Sequence, residues 1–275
     1  GALLAEDPGG SAVFAGGTDI LVDFKAGLRH HRRLVSLASI GELKEIALTT
    51  DGALRIGATA TINSIARHRG ILERFPGIND AAMSLAAEQV RNQATVAGNL
   101  CMAVPSADMA PILLAHGAVL QVVSTSGERM VPLREFFVGP RQTVLDPADV
   151  VIAIHVPALA PGSADASLRQ GGRVSLSLPI AAAAAVVVMD GSVCREASVA
   201  LGAVAPTPIV AAGAGLAVAG RELTEESLAE AGDQAAEAAI PIDDLRATRE
   251  YRLELVKVLT RRVLRAAAER AGWNG

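Results

Sequence analysis

Two short glycine-bearing stretches carry the strongest chemical signal in the chain. The first is Ala15-Gly16-Gly17-Thr18-Asp19-Ile20 and the second is Thr95-Val96-Ala97-Gly98-Asn99. Each follows an extended or polar lead-in and precedes a segment rich in small residues. Glycine lets the backbone come close to a ligand and point successive N–H groups at it, which makes a nest for an anion. Thr18 and Thr95 add hydroxyl donors. Two nests facing each other suit a diphosphate and need no lysine. A single Gly-Gly-Thr is most often only a tight turn, so the pair counts for more than either member. Neither stretch has the GxGxxG spacing of a Rossmann dinucleotide site, and no Gly-Lys-Ser/Thr follows as in a P-loop.

Other chemistries are poorly supplied. Cys101 and Cys194 stand far apart with no CxxC and no His/Cys cluster, which argues against zinc or an iron–sulfur cluster on this chain. His68, His116 and His155 are isolated and read as structural. His30 and His31 sit among Arg29, Arg32 and Arg33, either a solvated turn or, less often, a dock for an acidic partner or a phosphate. Arg91 and Asn92 are cofactor contacts or a plain exposed pair. Arg141 and Thr143, beside the Gly139-Pro140 turn, face solvent more readily than a partner or a cofactor. Asp108, taken by itself, reads as a carboxylate in a helix first turn. No GxSxG elbow marks a serine nucleophile.

The elements that must position these residues follow from pattern. The chain of 275 residues is 51% hydrophobic, enough for one large core or two to three smaller ones. Its net charge of −4 offers no broad basic surface for nucleic acid, and 3% aromatics leave little for stacking. Two free thiols and no secretory segment favour the reducing cytoplasm. The longest apolar run, residues 180–189, is shorter than the roughly 20 residues that span a bilayer. It reads as a buried strand, pairing antiparallel with 197–204 across the Asp190-Gly191 turn. Further strands are expected at 12–15, 34–37, 54–58, 119–124 and 150–156. Helices are expected at 20–26, 61–69, 80–88, 107–116, 224–239 and 248–271. In the last of these Tyr251, Leu255, Leu259 and Val263 make an apolar stripe. A glycine turn is expected at Gly98-Asn99. Residues 157–166, rich in Pro, Ala, Gly and Ser, read as a linker.

At this point an ordered set of motifs matches a known family. The motifs are Phe14-Ala15-Gly16-Gly17-Thr18-Asp19-Ile20, Leu54-Arg55-Ile56-Gly57-Ala58, the stretch from Val90 through Gly98-Asn99-Leu100, and Pro105-Ser106-Ala107-Asp108-Met109-Ala110-Pro111. With Leu133–Pro140, Val150–Pro157, Leu201–Pro208 and Glu250-Tyr251-Arg252, they resemble the FAD-binding medium subunit of the molybdenum hydroxylases, the carbon monoxide dehydrogenase and xanthine dehydrogenase type. The resemblance covers nearly the whole chain. It implies an α+β protein: a two-subdomain FAD-binding fold of the vanillyl-alcohol-oxidase (PCMH) type, then a small C-terminal α/β sandwich domain. The implied bounds are 1–157 for the FAD domain (subdomains 1–53 and 54–157), 158–167 for the linker and 168–275 for the C-terminal domain. Residues 14–20 and 95–99 would be the two pyrophosphate loops. Asp108 would bond the cofactor's polar middle or ring edge, and Val151 would pack near the isoalloxazine. No residue is assigned as an acid, a base or a metal ligand.

The resemblance further implies non-covalent FAD, with a molybdenum cofactor on a large partner subunit and [2Fe-2S] clusters on a small one, in a heterotrimer or its dimer. The role implied is an electron relay to an external acceptor. A flavin-free assembly subunit and a stand-alone flavin oxidoreductase are the alternatives. The chain departs from the family at Ala97, where a glycine is usual, and at 175–177, where no acidic residue stands. It is also expected to begin inside the family's first helix, without the opening strand.

Overall fold

The computed structural model describes residues 1–173 and 176–274. At the N-terminal end the strands Ser11–Phe14 and Arg33–Ser36 run parallel. A parallel pair needs a crossover, and the helix Ile20–Lys25 lies in it. The strand Ile46–Leu48 already belongs to the next sheet, paired antiparallel with Leu54–Gly57. The subdomain break expected at residue 53 therefore falls before residue 46. The Asp51-Gly52 turn lies inside a hairpin, with Gly52 at φ +88°.

That second sheet has five antiparallel strands, with Val150–Val156 between Leu54–Gly57 and Val119–Ser124. The helices Ile62–Arg67, Pro76–Ser84 and Ala110–Ala115 carry its core. The helix expected at 80–88 starts earlier, because Pro76 suits a first helical turn. It stops before Ala86, whose φ of +44° breaks the run ahead of the short helix Glu88–Arg91. The turn expected at Gly98-Asn99 is instead part of a helix, Val96–Cys101. The Thr95 hydroxyl accepts the Gly98 amide at 3.1 Å and starts it.

The C-terminal sheet runs Ser163–Gly171, Pro179–Asp190, Val193–Gly202, Ile209–Val210, all antiparallel. Its first strand occupies much of the expected linker. The small residues there serve close packing rather than flexibility: a Cβ on Gly77 would stand 2.8 Å from the Ala166 amide nitrogen. The strand Pro179–Asp190 is buried on both faces. Ala184 joins the first core, while Ala181, Ala183, Ala185 and Val187 join a second core under the helices Ala212–Val218, Glu225–Ala238 and Arg249–Arg270. This explains an apolar run without alternation. On the first-core side, every residue of Ala110–Ala115 is buried against this sheet. The contact is pinned by Asp165, which accepts the Gly77 amide at 2.9 Å and meets His116 Nε2 at 2.7 Å.

On the last helix the expected apolar stripe is displaced by one position. Leu259 and Val263 are buried, but Tyr251 is half exposed and the buried line begins at Arg252 and Val256. Arg252 is 1% exposed. Its guanidinium donates to the carbonyls of Ile180 (2.5 Å) and Ala203 (3.1 Å) and to Asp244 Oδ1 (2.8 Å). A buried charge is tolerated when most of its donors are matched in this way, and here only Nε is left without a partner among the described residues. Replacing Arg252 with Met strips those acceptors, and we expect a loss of about 3–5 kcal/mol in urea unfolding. The Asp244 carboxyl is held below the usual carboxylate range, by Arg246 first and also by Arg252, against the opposing effect of burial. A depressed carboxyl stabilises the fold above its unfolded pKa and loses that contribution as pH falls through the folded value. The Arg252→Met protein should accordingly gain less stability than the parent between about pH 2 and pH 5, read from urea midpoints across that range.

Candidate functional site

A cleft of about 470 Å³ opens where the N-terminal strands, the second sheet and the start of the C-terminal sheet meet. Of the fourteen residues expected at the site, twelve line it: residues 15–20, Thr95, Ala97, Gly98, Asn99, Asp108 and Val151. Phe14 and Val96 do not. The Phe14 ring lies beneath Gly17, where an added Cβ would come within 2.7 Å of it, so Phe14 supports the loop from behind. Val96 is fully buried in the first core, because a helix starting at Thr95 turns that side chain inward.

The first loop is built as a donor array. Gly17 adopts φ +75°, a left-handed conformation that glycine takes without strain. Among the described residues, the amides of Gly16, Gly17, Thr18, Asp19 and Ile20 find no hydrogen-bond acceptor within the chain. Backbone donors are rarely left unmatched, so such a run is matched from outside, by water or by a ligand. Across the cleft the Ala97 amide also lacks an internal acceptor. Thr95 spends its oxygen on the Gly98 amide and keeps its hydroxyl hydrogen to donate. The two loops touch directly. A Cβ on Gly16 would stand 1.9 Å from the Gln93 carbonyl oxygen, so only glycine permits this approach.

Further residues set the rest of the cleft. Asn99 Oδ1 accepts the Met109 amide at 3.1 Å, which fixes the loop bearing Asp108. The Asp108 carboxyl is pushed up to about 6, by burial first, against the lowering effect of Arg169 at 2.9 Å. Asp19 is open at the rim. Its carboxyl is nonetheless raised, first by the loss of water around it and then by Asp23. Asp23 is buried between Arg29 (3.2 Å) and Arg141 (2.7 Å), which ties the first loop's helix to the turn at Gly139-Pro140. Val151 is 5% exposed and offers an aliphatic wall.

Arg91 and Asn92 take structural roles: Arg91 donates to the Leu85 carbonyl and Asn92 accepts from Asn63. Sequence reasoning passed over Arg169 and Leu178, and marked 175–177, which include the cleft-lining Leu176 and Ser177, only for a missing acidic residue. Arg169 falls just beyond the expected linker and in no site motif. Of the positions 175–177 where an acidic residue is missing, Ser175 lies outside the described residues.

Comparison with known proteins decides the family. Residues 2–159 match the family model described as the FAD binding domain in molybdopterin dehydrogenase, and 166–267 match the CO dehydrogenase flavoprotein C-terminal domain. The chain belongs to this family of FAD-binding molybdopterin dehydrogenase subunits. It is 31% identical over 271 residues to the xanthine dehydrogenase FAD-binding subunit of Escherichia coli O157:H7, covering 98% of this chain and 92% of the relative. The carbon monoxide dehydrogenase medium chain of Afipia carboxidovorans is 29% identical, with 98% and 93% covered. Among solved structures, carbon monoxide dehydrogenase from Hydrogenophaga pseudoflava superposes with a TM-score of 0.94 at 29% identity, again covering 98% and 93%. Quinoline 2-oxidoreductase from Pseudomonas putida 86 gives 0.92 at 29%, with the same coverage. The subunit is thus part of an oxidoreductase and its cofactor is FAD.

The residues present in this FAD subunit suit that cofactor. A diphosphate is an acceptor-only group, and the facing loops offer donors with no acceptor of their own. Ala97 lines the cleft but is only 5% exposed and packs in the first core, so its methyl group takes up little of the cleft surface. The departure from glycine therefore leaves the cradle open. Gly16→Ala should push the first loop off Gln93 and separate the two halves of the cradle. The expected outcome is a loss of FAD affinity of at least about tenfold, measured by titrating apoprotein with FAD, with little change in far-ultraviolet circular dichroism.

Proposed function

We propose that this chain binds FAD non-covalently in the cleft and serves as the electron-relay subunit of a molybdenum-containing hydroxylase. The observation that carries the proposal is the run of unmatched amides at residues 16–20 facing the Ala97 amide, with no lysine in the cradle. Residues 14–20 and 95–99 form the two pyrophosphate loops of a fold of the vanillyl-alcohol-oxidase (PCMH) type. Asp108 bonds the polar middle or ring edge of the cofactor, and Val151 packs near the ring. The domain bounds proposed from the family are 1–157 and 168–275, although the strand Ser163–Gly171 of the C-terminal sheet begins ahead of the second.

The flavin supplies the redox chemistry, accepting electrons and passing them to an external acceptor. The chain's own residues bind it, orient it and keep water from its inner face. The proposed partners are a large subunit with the molybdenum cofactor and a small subunit with [2Fe-2S] clusters, in a heterotrimer or its dimer. Among the described residues no group of three or more His, Cys, Asp or Glu could hold a metal. No helix among them is long and apolar enough to cross a membrane. The free thiols suit a cytoplasmic complex. A flavin-free assembly role would rest on Ala97, and its burial removes that support. A stand-alone oxidoreductase would need a base beside the ring, and Asp108 is committed to Arg169.

An absorption spectrum of the purified chain tests the proposal. We expect the bands of an oxidised flavin, and near-stoichiometric FAD released by heat. A chain that stays colourless after FAD is added, in an assembled complex that also lacks FAD, would leave only the assembly role.

A further inference from the structure

Arg169 joins two walls of the cleft without lining it. It projects from the C-terminal strand Ser163–Gly171, and its Nη1 donates both to Asp108 Oδ1 at 2.9 Å and to the Ser177 carbonyl at 2.8 Å. Asp108 and Ser177 do line the cleft, one from each domain. The Arg169 and Asp108 side chains are each 11% exposed, so the pair is shielded from solvent and from salt. The Ser177 segment needs such a hold. Its neighbour Leu176 sits at φ +53°, which costs a branched residue energy. Leu176 and Leu178 are also more than half exposed while facing the cleft, so they gain little from burial until the cleft is filled.

We propose that Arg169 is a positioning residue for the flavin, acting through Asp108 and the Ser177 carbonyl to fix a charged acceptor and an apolar wall side by side at the cleft. This rests on the FAD reading above. The electrostatic half of the argument is one of sign. Burial raises the Asp108 carboxyl and Arg169 is the charged group set against that rise. Without the guanidinium, burial is opposed only by a backbone hydrogen bond, and the carboxyl holds its proton to higher pH. A neutral carboxyl is a poorer acceptor for a ligand N–H or O–H than a carboxylate. The steric half is independent of charge. Loss of the bond to Ser177 leaves the strained segment with its local ties to Arg173, which accepts from the Ser177 hydroxyl and donates to the Leu176 carbonyl, and loosens the set of Leu176 and Leu178.

The test is FAD affinity of the full chain, stripped of flavin and titrated from pH 5 to 9 by flavin fluorescence. Five proteins are compared: the parent, Arg169→Met, Arg169→Lys, Asp108→Asn and the double variant of Arg169→Met with Asp108→Asn. The parent should bind more weakly as pH falls through the Asp108 titration. Arg169→Met should bind about tenfold more weakly at pH 7, a coupling of the size seen between contacting groups. Its pH midpoint should move upward, a change that simple loosening of the fold would not produce. Arg169→Lys, which keeps the charge, should restore the midpoint more than the affinity. In the Asp108→Asn background the pH step should vanish, and Arg169→Met should cost less than in the parent. A parent that binds FAD alongside an Arg169→Met protein with the same affinity and midpoint overturns the inference and leaves the FAD reading standing. A parent that takes up no FAD overturns both.

Discussion

The cleft depends on one contact between backbones. Residue 16 approaches the Gln93 carbonyl so closely that any side chain on it would overlap the oxygen. That contact brings the end of the first strand against the lead-in to the helix Val96–Cys101, two segments nearly eighty residues apart. Everything else at the site is measured from it. The first loop turns away from Gln93 through Gly17, and its amides then face the cleft rather than each other. The second helix begins at Thr95 on the far side. Were the two segments an ångström or two further apart, each would still be a sound local structure, but their donors would not converge on a single group.

How much of this was legible in the sequence varied with the range of the interaction. The loops were readable because their chemistry is local: Gly16, Gly17 and Thr95 announce a turn or a cap by their own identity. The strand pairing around Asp190-Gly191 was readable for the same reason. Phe14 and Val96 were assigned to the cofactor because they sit inside the motifs, and a motif does not say which way a side chain turns. The helix start at Thr95 turns Val96 inward. Arg252 was overlooked because hydropathy places an arginine outside, and only distant acceptors at Ile180, Ala203 and Asp244 make its burial affordable. Arg169 was missed in the same way, its partners being Asp108 and Ser177. The stretch at 157–166 misled for a subtler reason. Small residues signal a loose linker or a tight interface equally well, and its last part, 163–166, proved to be a packed strand.

The cleft also shows how a site can be selective while using few charged groups. The donors proposed for a diphosphate are backbone amides held by the fold, so no long side chain must be immobilised when a ligand arrives. Apart from Asp19 at the rim, the carboxylates in and behind the cleft's walls are answered by arginines: Asp23 by Arg29 and Arg141, Asp149 by Arg129, Asp108 by Arg169. They brace the walls.

Two family models divide the chain cleanly in sequence, yet the molecule has no such seam. The alanines of Pro179–Asp190 face two cores at once, Ala184 toward the first and its neighbours toward the second, and the helix Ala110–Ala115 presses on them from the other module. A strand whose side chains stop at a methyl group lets both neighbours come close, and it leaves no room for either to change shape alone. The two modules are therefore heritable only as a pair. A gene fusion or exchange that brought in one without its counterpart would present the alanine strand with a surface it was never fitted to, which binds the evolutionary histories of the two halves together.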